Sequence, residues 1–162
     1  MIKQHKKGFT LLEMLIVIAI FGIMSAAIMV SLGRSRQQRQ VEAAGRDVMA
    51  ALKVAQNGAL TGAKLIGSEP YPCEYSLQTS GSDYSVAYKA NVNPGDSCAG
   101  ATTKQLFSKT LPNNVTFDAD YSATFQVPGG EPGGYMEIHL TNGSAHYRVK
   151  VNAAGNITGD NL

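Results

Sequence analysis

Charged residues are scarce in this sequence, above all in its longest apolar segment. They make up 16% of the 162 residues, and Glu13 is the single charge between Phe9 and Leu32. The formal net charge of +2 is smaller than the three positive charges of Lys3, Lys6 and Lys7, so the remaining chain is nearly neutral. A nearly neutral chain has no global basic bias, and composition therefore gives no support to a nucleic-acid-binding protein.

Residue patterns that carry catalysis are also missing. The sequence shows no Ser/His/Asp set, no phosphate-binding loop and no carboxylate pair with an assignable partner. Cys73 and Cys98 have no C-x-x-C neighbour and no nearby histidine pattern, which argues against metal binding or redox catalysis at these cysteines. We therefore expect a protein that is not an enzyme and that has no metal and no cofactor.

There are only two cysteines, and both follow the apolar segment. An even pair in a domain exported across a membrane favours a disulfide between Cys73 and Cys98, and two reduced thiols are the alternative. A bridge would close a loop of about 26 residues, which the chain-entropy model values at roughly 3.5 kcal/mol.

The apolar segment from Phe9 to Leu32 is long enough to cross a membrane. As a helix, its 24 positions would extend roughly 36 Å, against about 30 Å for the hydrocarbon core of a bilayer. The preceding basic stretch MIKQHKKG places the start of the helix on the cytoplasmic side and the rest of the chain outside. No A-x-A-like cleavage site follows the segment, so an ordinary secretory signal is excluded and a plain signal anchor is the simplest alternative.

A plain anchor does not account for Glu13. A carboxylate inside a bilayer costs a few kcal/mol and usually has a partner. We expect no partner within residues 9–32, so the partner must be another chain or a charge made by processing. Cleavage after Gly8 would create such a charge, the amine of Phe9.

These residues resemble a known signal. The stretch KKGFTLLEMLIVIAIFGIM resembles the class III signal of type IV pilins and pseudopilins, and the matching positions are Gly8, Phe9, Thr10, Leu11, Leu12 and Glu13. The resemblance implies that a membrane prepilin peptidase cleaves between Gly8 and Phe9 and that Phe9 is N-methylated. It also implies that Glu13 pairs with the amine of a neighbouring subunit during assembly.

The helical pattern continues beyond the apolar segment. Small and branched apolar residues recur every three or four positions, at Val41, Ala44, Val48, Leu52, Ala55, Ala59 and Ala63. No proline precedes Pro70, so we predict one helix from about Phe9 to about Leu65, with two helices hinged near Gly33 as the alternative. The glycines within it are expected weak points, each costing up to about 1 kcal/mol relative to alanine: Gly22, Gly33, Gly45, Gly58 and Gly62.

A β-rich head is predicted after Gly67. SEPYPCEYS is expected to be a connecting region, NVNPGDSCAGATT a polar loop and VPGGEPGG a mobile loop. Strands are predicted at 84–89, 105–111, 115–118, 123–127, 135–141 and 145–152, with a short one near Ile157. The fold class is therefore α+β, with the long helix packed on an antiparallel sheet.

The sequence TNGS predicts a hairpin with a two-residue type I′ turn at Asn142-Gly143. This turn would pair His139 with His146 and Glu137 with Arg148 on a polar face, and the opposite face would be apolar. The two histidines could bind a metal, but an exposed polar ladder is the favoured interpretation.

The C-terminal half of the chain makes the family resemblance more specific. The stretch NVTFDADYSATFQVPGGEPGGYMEIHLTNGSAHYRVKVNAAGNI is similar to the GspH/FimT minor pseudopilins and minor pilins. Some members bind DNA through a basic C-terminal tail, but this chain ends in AAGNITGDNL. Only Arg148 and Lys150 remain as candidate ligand contacts, too few for a substantial phosphate footprint.

The resemblance implies a pilin fold in four parts: a leader (1–8), a transmembrane and assembly helix (9–32), an amphipathic helix half (33–66) and a globular head (67–162). It implies a structural subunit of a type IV pilus or type II secretion pseudopilus, held in the inner membrane by a single pass with its head outside the cytoplasm. The expected partners are other subunits, the prepilin peptidase, the inner-membrane assembly platform and, before assembly, membrane lipid. The alternatives are a tip-located minor pilin that binds DNA or exported substrate and a generic anchored protein.

Overall fold

The computed structural model describes residues 10–62, 71–91 and 98–162, and it leaves the side chains of 26–32 undescribed. Helix α1 runs from Leu11 to Thr61 and is helical throughout, including Gly33, so the structure has one helix where the alternative was two. The chain forms two compact units, with the division between Arg36 and Gln37. Gly62 follows the helix with a φ of +58°, the left-handed conformation in which glycine commonly ends helices.

The first unit contains the apolar start of α1. Its side chains from Leu11 to Met24 are mostly exposed, for example 84% at Leu11 and 73% at Ile23. Within the described ranges, no helix combines the length and the hydropathy needed to cross a membrane, so the predicted transmembrane helix over 9–32 is not confirmed. Gly8 and Phe9 lie outside the described residues.

The second unit contains two antiparallel sheets. The first has the strand order β3-β2-β1-β5-β6 and the second β4-β7-β8-β9. The strands are β1 (Tyr71–Ser80), β2 (Asp83–Asn91), β3 (Thr102–Thr110), β4 (Thr116–Phe117), β5 (Ser122–Gln126), β6 (Glu131–Pro132), β7 (Met136–Thr141), β8 (His146–Val151) and β9 (Ile157–Asn161). A helix on antiparallel sheets confirms the predicted α+β class.

Two of the connections predicted in the head contain strand residues. The SEPYPCEYS stretch is not only a connection, because Tyr71 begins β1, the ten-residue strand at the centre of the first sheet. Pro72 hides this strand in the sequence, since proline cannot donate to a sheet ladder, and the register shifts between Pro72 and Glu74. The VPGGEPGG stretch is not entirely a loop, because Glu131 and Pro132 pair with β5.

The helix packs on the head through the predicted apolar stripe. Every described member of the stripe has 0% exposure, at Val41, Ala44, Val48, Leu52, Ala55 and Ala59. Ala63 lies outside the described residues. The stripe shares one buried cluster with residues of both sheets, including Tyr75 and Leu77 of β1 and Tyr147 and Val149 of β8. Its small side chains let the sheets lie close to the helix.

Two helical glycines receive tyrosine rings from different sheets. A Cβ at Gly58 would lie 2.5 Å from Cε1 and 2.8 Å from Cδ1 of Tyr75. A Cβ at Gly45 would overlap the ring of Tyr147 even more closely. From the sequence, both glycines were expected to be weak points of the helix. In the structure, each leaves a notch in the helix surface, the space of the missing side chain, and a tyrosine ring of the head fills it.

Candidate functional site

Glu13 lies in a reciprocal capping arrangement with Thr10 at the start of α1. The Thr10 backbone N–H and hydroxyl donate to Glu13 Oε2 at 3.0 and 3.1 Å, and the Glu13 N–H donates to Thr10 Oγ1 at 3.2 Å. This is the capping box, in which Ser or Thr at the N-cap and Glu or Gln three residues later satisfy each other's free donors.

The expectation that Glu13 has no partner within residues 9–32 was therefore wrong. Thr10 is that partner, and the T-x-x-E pattern just before an apolar run was the signal that could have revealed it. Hydrogen bonds do not neutralise charge, and within the described part of the chain Glu13 forms no ion pair. The hydrogen bonds thus stabilise the helix start, and Thr10 supplies no positive charge opposite the carboxyl group.

The hairpin between β7 and β8 differs in register from the prediction. Residues 142–145 form a four-residue connection, so Glu137 pairs with Lys150, His139 with Arg148 and Thr141 with His146. Because the predicted and observed registers differ by two residues, the polar and apolar sets stay on their predicted faces. His139 and His146 do not face each other.

Asn142 accounts for the longer connection. Its side-chain oxygen accepts hydrogen bonds from the N–H groups of Ser144 (3.2 Å) and Ala145 (3.0 Å), and its amide donates to the Gln37 carbonyl at 3.2 Å. Ala145 is buried, and Gly143 has a φ of +85°. The connection is thereby fixed to α1, a contact that local turn rules do not include.

Arg148 and Lys150 both pair with one carboxylate of β9. Arg148 donates to the two oxygens of Asp160 at 3.2 and 2.8 Å, and Lys150 Nζ donates to Asp160 Oδ2 at 3.2 Å. Glu137 adds a weaker contact, with its Oε2 3.6 Å from Arg148 and 3.5 Å from His139. The two candidate ligand contacts are thus already paired within the chain, because β9 lies beside β8.

The hydrogen bonds from Arg148 lower the pKa of Asp160 to about 2, with a smaller contribution from Lys150. The hydrogen bond from the Tyr135 hydroxyl is the largest cause that lowers the pKa of Glu137. Both carboxylates are therefore charged at neutral pH. Among the described residues, no group of three or more His, Cys, Asp or Glu side chains is placed to hold a metal.

Removing Arg148 is expected to raise the pKa of Asp160 from about 2 towards its ordinary value of 3.8. Because the folded-state pKa is depressed, the stabilisation is complete above about pH 4 and is lost as the pH falls through about 2. The side-chain carboxyl shift of Asp160 in NMR titrations of the wild type and of Arg148→Ala measures this. Lys150→Ala is the matched variant and should move the midpoint less; equal midpoints in all three proteins would contradict the ion pair.

The cysteines are joined in the structure. The disulfide links Cys73, at the register shift in β1, to Cys98, which lies before β3, with their Cα atoms 5.8 Å apart. The two residues are separated by 25 positions, so the bridge closes a loop that contains the β1–β2 hairpin. Lys89 and Glu74 form an ion pair of 2.9 Å within the same hairpin.

Two comparisons with known proteins bear on these observations. The family model of the prokaryotic N-terminal methylation motif matches residues 3–29, which include Gly8, Phe9 and Glu13. The chain is also 34% identical over 65 residues to Type II secretion system protein H of Aeromonas hydrophila. These matches support a pilin-like prepilin similar to GspH.

The match to the Aeromonas hydrophila protein is partial. It covers 40% of this chain and 36% of the relative, so the chain spans about a third of the length of the curated relative. No solved structure matches. The resemblance to pilin-like prepilins is confirmed, and the roles of the individual prepilin residues stay predictions.

Proposed function

We propose that this chain is a structural subunit of a type II secretion pseudopilus or a type IV pilus. The match to the N-terminal methylation motif over residues 3–29 carries this proposal, because a processing signal directly before an apolar helix would suit a subunit that is cleaved and then assembled. The similarity to Type II secretion system protein H favours the pseudopilus. The partners would be other subunits, the prepilin peptidase, the inner-membrane assembly platform and, before assembly, lipid.

Processing comes first in this proposal. Cleavage after Gly8 and N-methylation of Phe9 would leave Phe9 as the first residue, one position before the capping box. The subunit would be stored in the inner membrane through residues 9–32, with its head outside the cytoplasm. Mass spectrometry of the purified N-terminus is the direct test: an intact Met1 in a host with an active prepilin peptidase would contradict the proposal and support a generic anchor.

Assembly follows from the exposed apolar start of α1 and from Glu13. Burial against sibling helices would keep these apolar side chains away from water. The capping box supplies no positive charge to Glu13, and we propose that the amine of a neighbouring Phe9 pairs with its carboxylate. The assembly role of Glu13 is therefore a charge role that is separable from its capping role.

Three substitutions separate the two roles. Glu13→Gln removes the charge but can still complete a capping box, whereas Thr10→Ala removes the box and keeps the charge. We expect Glu13→Gln and Glu13→Ala to reduce incorporation into filaments roughly tenfold or more, because an interaction of a few kcal/mol is lost. Thr10→Ala should reduce it much less.

The measurement is the ratio of subunit in sheared filaments to subunit in the membrane fraction. Membrane levels of all three variants serve as the control, since insertion should be unchanged. If Glu13→Gln assembles like the wild type while Thr10→Ala does not, capping explains Glu13 and the charge role is wrong.

The alternative of a tip-located minor pilin that binds DNA has less support. Arg148 and Lys150 are both paired with Asp160, so a phosphate would have to displace a carboxylate. Salt-dependent DNA binding that is lost on changing both residues would restore this alternative.

A further inference from the structure

The stretch between Met14 and Val41 carries charge of one sign. It contains Arg34, Arg36 and Arg39 and no acidic residue. In the first unit, Arg34 and Arg36 are exposed on α1, and neither forms an ion pair with any described residue. By contrast, Arg46 further along the helix is paired with Glu42 four residues before it. The described part of the chain therefore offers no anionic partner to these two arginines.

Their position along α1 suggests the depth of an anionic partner. Arg34 is 23 residues beyond Leu11, which corresponds to about 35 Å of helix. A hydrocarbon core is about 30 Å thick, and the polar headgroups add roughly 5 to 7 Å on each side. If residues 9–32 are stored in a bilayer as proposed, Arg34 and Arg36 lie at the level of the outer headgroups.

The positions of Arg34 and Arg36 around α1 suggest the shape of the anionic partner. Two positions along a helix correspond to a rotation of about 200° and a rise of about 3 Å, so the two guanidinium groups leave opposite sides at nearly one level. A protein surface or a nucleic acid docked on one side would contact only one of them. A layer that surrounds the helix contacts both, and a lipid headgroup layer has that geometry.

The sign of the charge supports the same partner. Arginine and lysine are normally concentrated on the cytoplasmic side of a membrane helix, so two arginines at the outer end need a separate reason. Guanidinium groups bind phosphate oxygens in bidentate geometry, and their long stems can lie along apolar surface. Phosphate in an anionic headgroup provides a suitable partner.

We propose that Arg34 and Arg36 bind the phosphate groups of anionic phospholipids around the outer end of the helix and so fix the depth of the stored subunit. This inference rests on the proposed membrane storage. The full chain is reconstituted into phosphatidylcholine vesicles that contain a trace of spin-labelled phosphatidylglycerol or spin-labelled phosphatidylcholine. The motionally restricted fraction of each label gives the preference of the protein for the anionic lipid.

The wild type is expected to prefer phosphatidylglycerol, and the double variant Arg34→Gln/Arg36→Gln should lose roughly fivefold or more of this preference. High salt should reduce the wild-type preference towards that of the variant. Arg46→Gln is the matched control and should behave as the wild type, because Arg46 is already paired with Glu42.

Other results overturn the inference in distinguishable ways. A wild type that enters vesicles without preferring phosphatidylglycerol, or a double variant that keeps the preference, overturns the lipid contact and leaves membrane storage intact. A wild type that does not enter vesicles overturns membrane storage as well. If the double variant loses binding to a DNA duplex but keeps its lipid preference, nucleic acid is the partner instead.

Discussion

Gly58→Ala is expected to destabilise the head, although alanine is the better helix former. The new Cβ would lie 2.5 Å from the ring of Tyr75, which is fully buried and stacked on Tyr88 with ring centroids 5.5 Å apart. Such overpacking costs about 1–3 kcal/mol, and the gain in helix propensity offsets at most about 1 kcal/mol. Gly45→Ala should cost at least as much, because its Cβ would overlap the Tyr147 ring more closely.

Denaturant unfolding followed by the tyrosine near-UV signal measures these changes. Gly33→Ala is the matched control, because a Cβ at this helical position meets nothing within 4 Å and should leave stability equal or slightly higher. A second test is Gly58→Ala in a Tyr75→Leu background, where the smaller side chain leaves room for the methyl group. If Gly58→Ala lowers the free energy of unfolding equally in both backgrounds, overlap with the Tyr75 ring is not the cause of the destabilisation.

Removing the disulfide is expected to cost the head roughly 3.5 kcal/mol of unfolding free energy. Replacing Cys73 and Cys98 together by serine opens a loop with a sequence separation of 25, and the released chain entropy stabilises the unfolded state. Domains of this size are stable by only about 5–15 kcal/mol, so the loss is a large fraction of the total.

The double variant avoids the unpaired thiol that a single substitution would leave. Its unfolding midpoint in denaturant, compared with that of the oxidised wild type, measures the effect. Reduced wild type should match the variant, which controls for the serine side chains. Maleimide labelling of denatured, unreduced protein tests the alternative of two free thiols. A difference in stability below about 0.5 kcal/mol would show that the bridge does not constrain the unfolded chain.

The β7–β8 hairpin shows which structural features a sequence pattern predicts and which it does not. The alternation from Met136 to Val151 correctly separated a polar from an apolar face, because side chains in a strand alternate with period two. The pairing of the strands was wrong by two residues. Both registers keep the same faces, and the choice between them depends on Asn142, which binds the Gln37 carbonyl of the helix.

In the candidate site, too, some contacts follow from the local sequence and others depend on the tertiary structure. The capping box of Glu13 is local, since Thr10 is three residues away, and the sequence contained the whole signal. The pairing of Arg148 and Lys150 with Asp160 depends on β9 lying beside β8, which spacing alone does not reveal. Pro72 made the start of the central strand look like a connection in the sequence, and the pairing with its neighbours β2 and β5 makes it a strand.

The sequence by itself determined the helix, its buried stripe, the α+β class and the resemblance to a prepilin signal, because each depends on patterns of residues close together in the chain. The tertiary structure decided that Gly45 and Gly58 make room for tyrosine rings and that β1 is the central strand of the first sheet. It also decided that Asp160 pairs with Arg148 and Lys150. These depend on contacts between residues far apart in sequence: a tyrosine ring filling a glycine notch and a carboxylate on the last strand reaching two cations on the strand beside it.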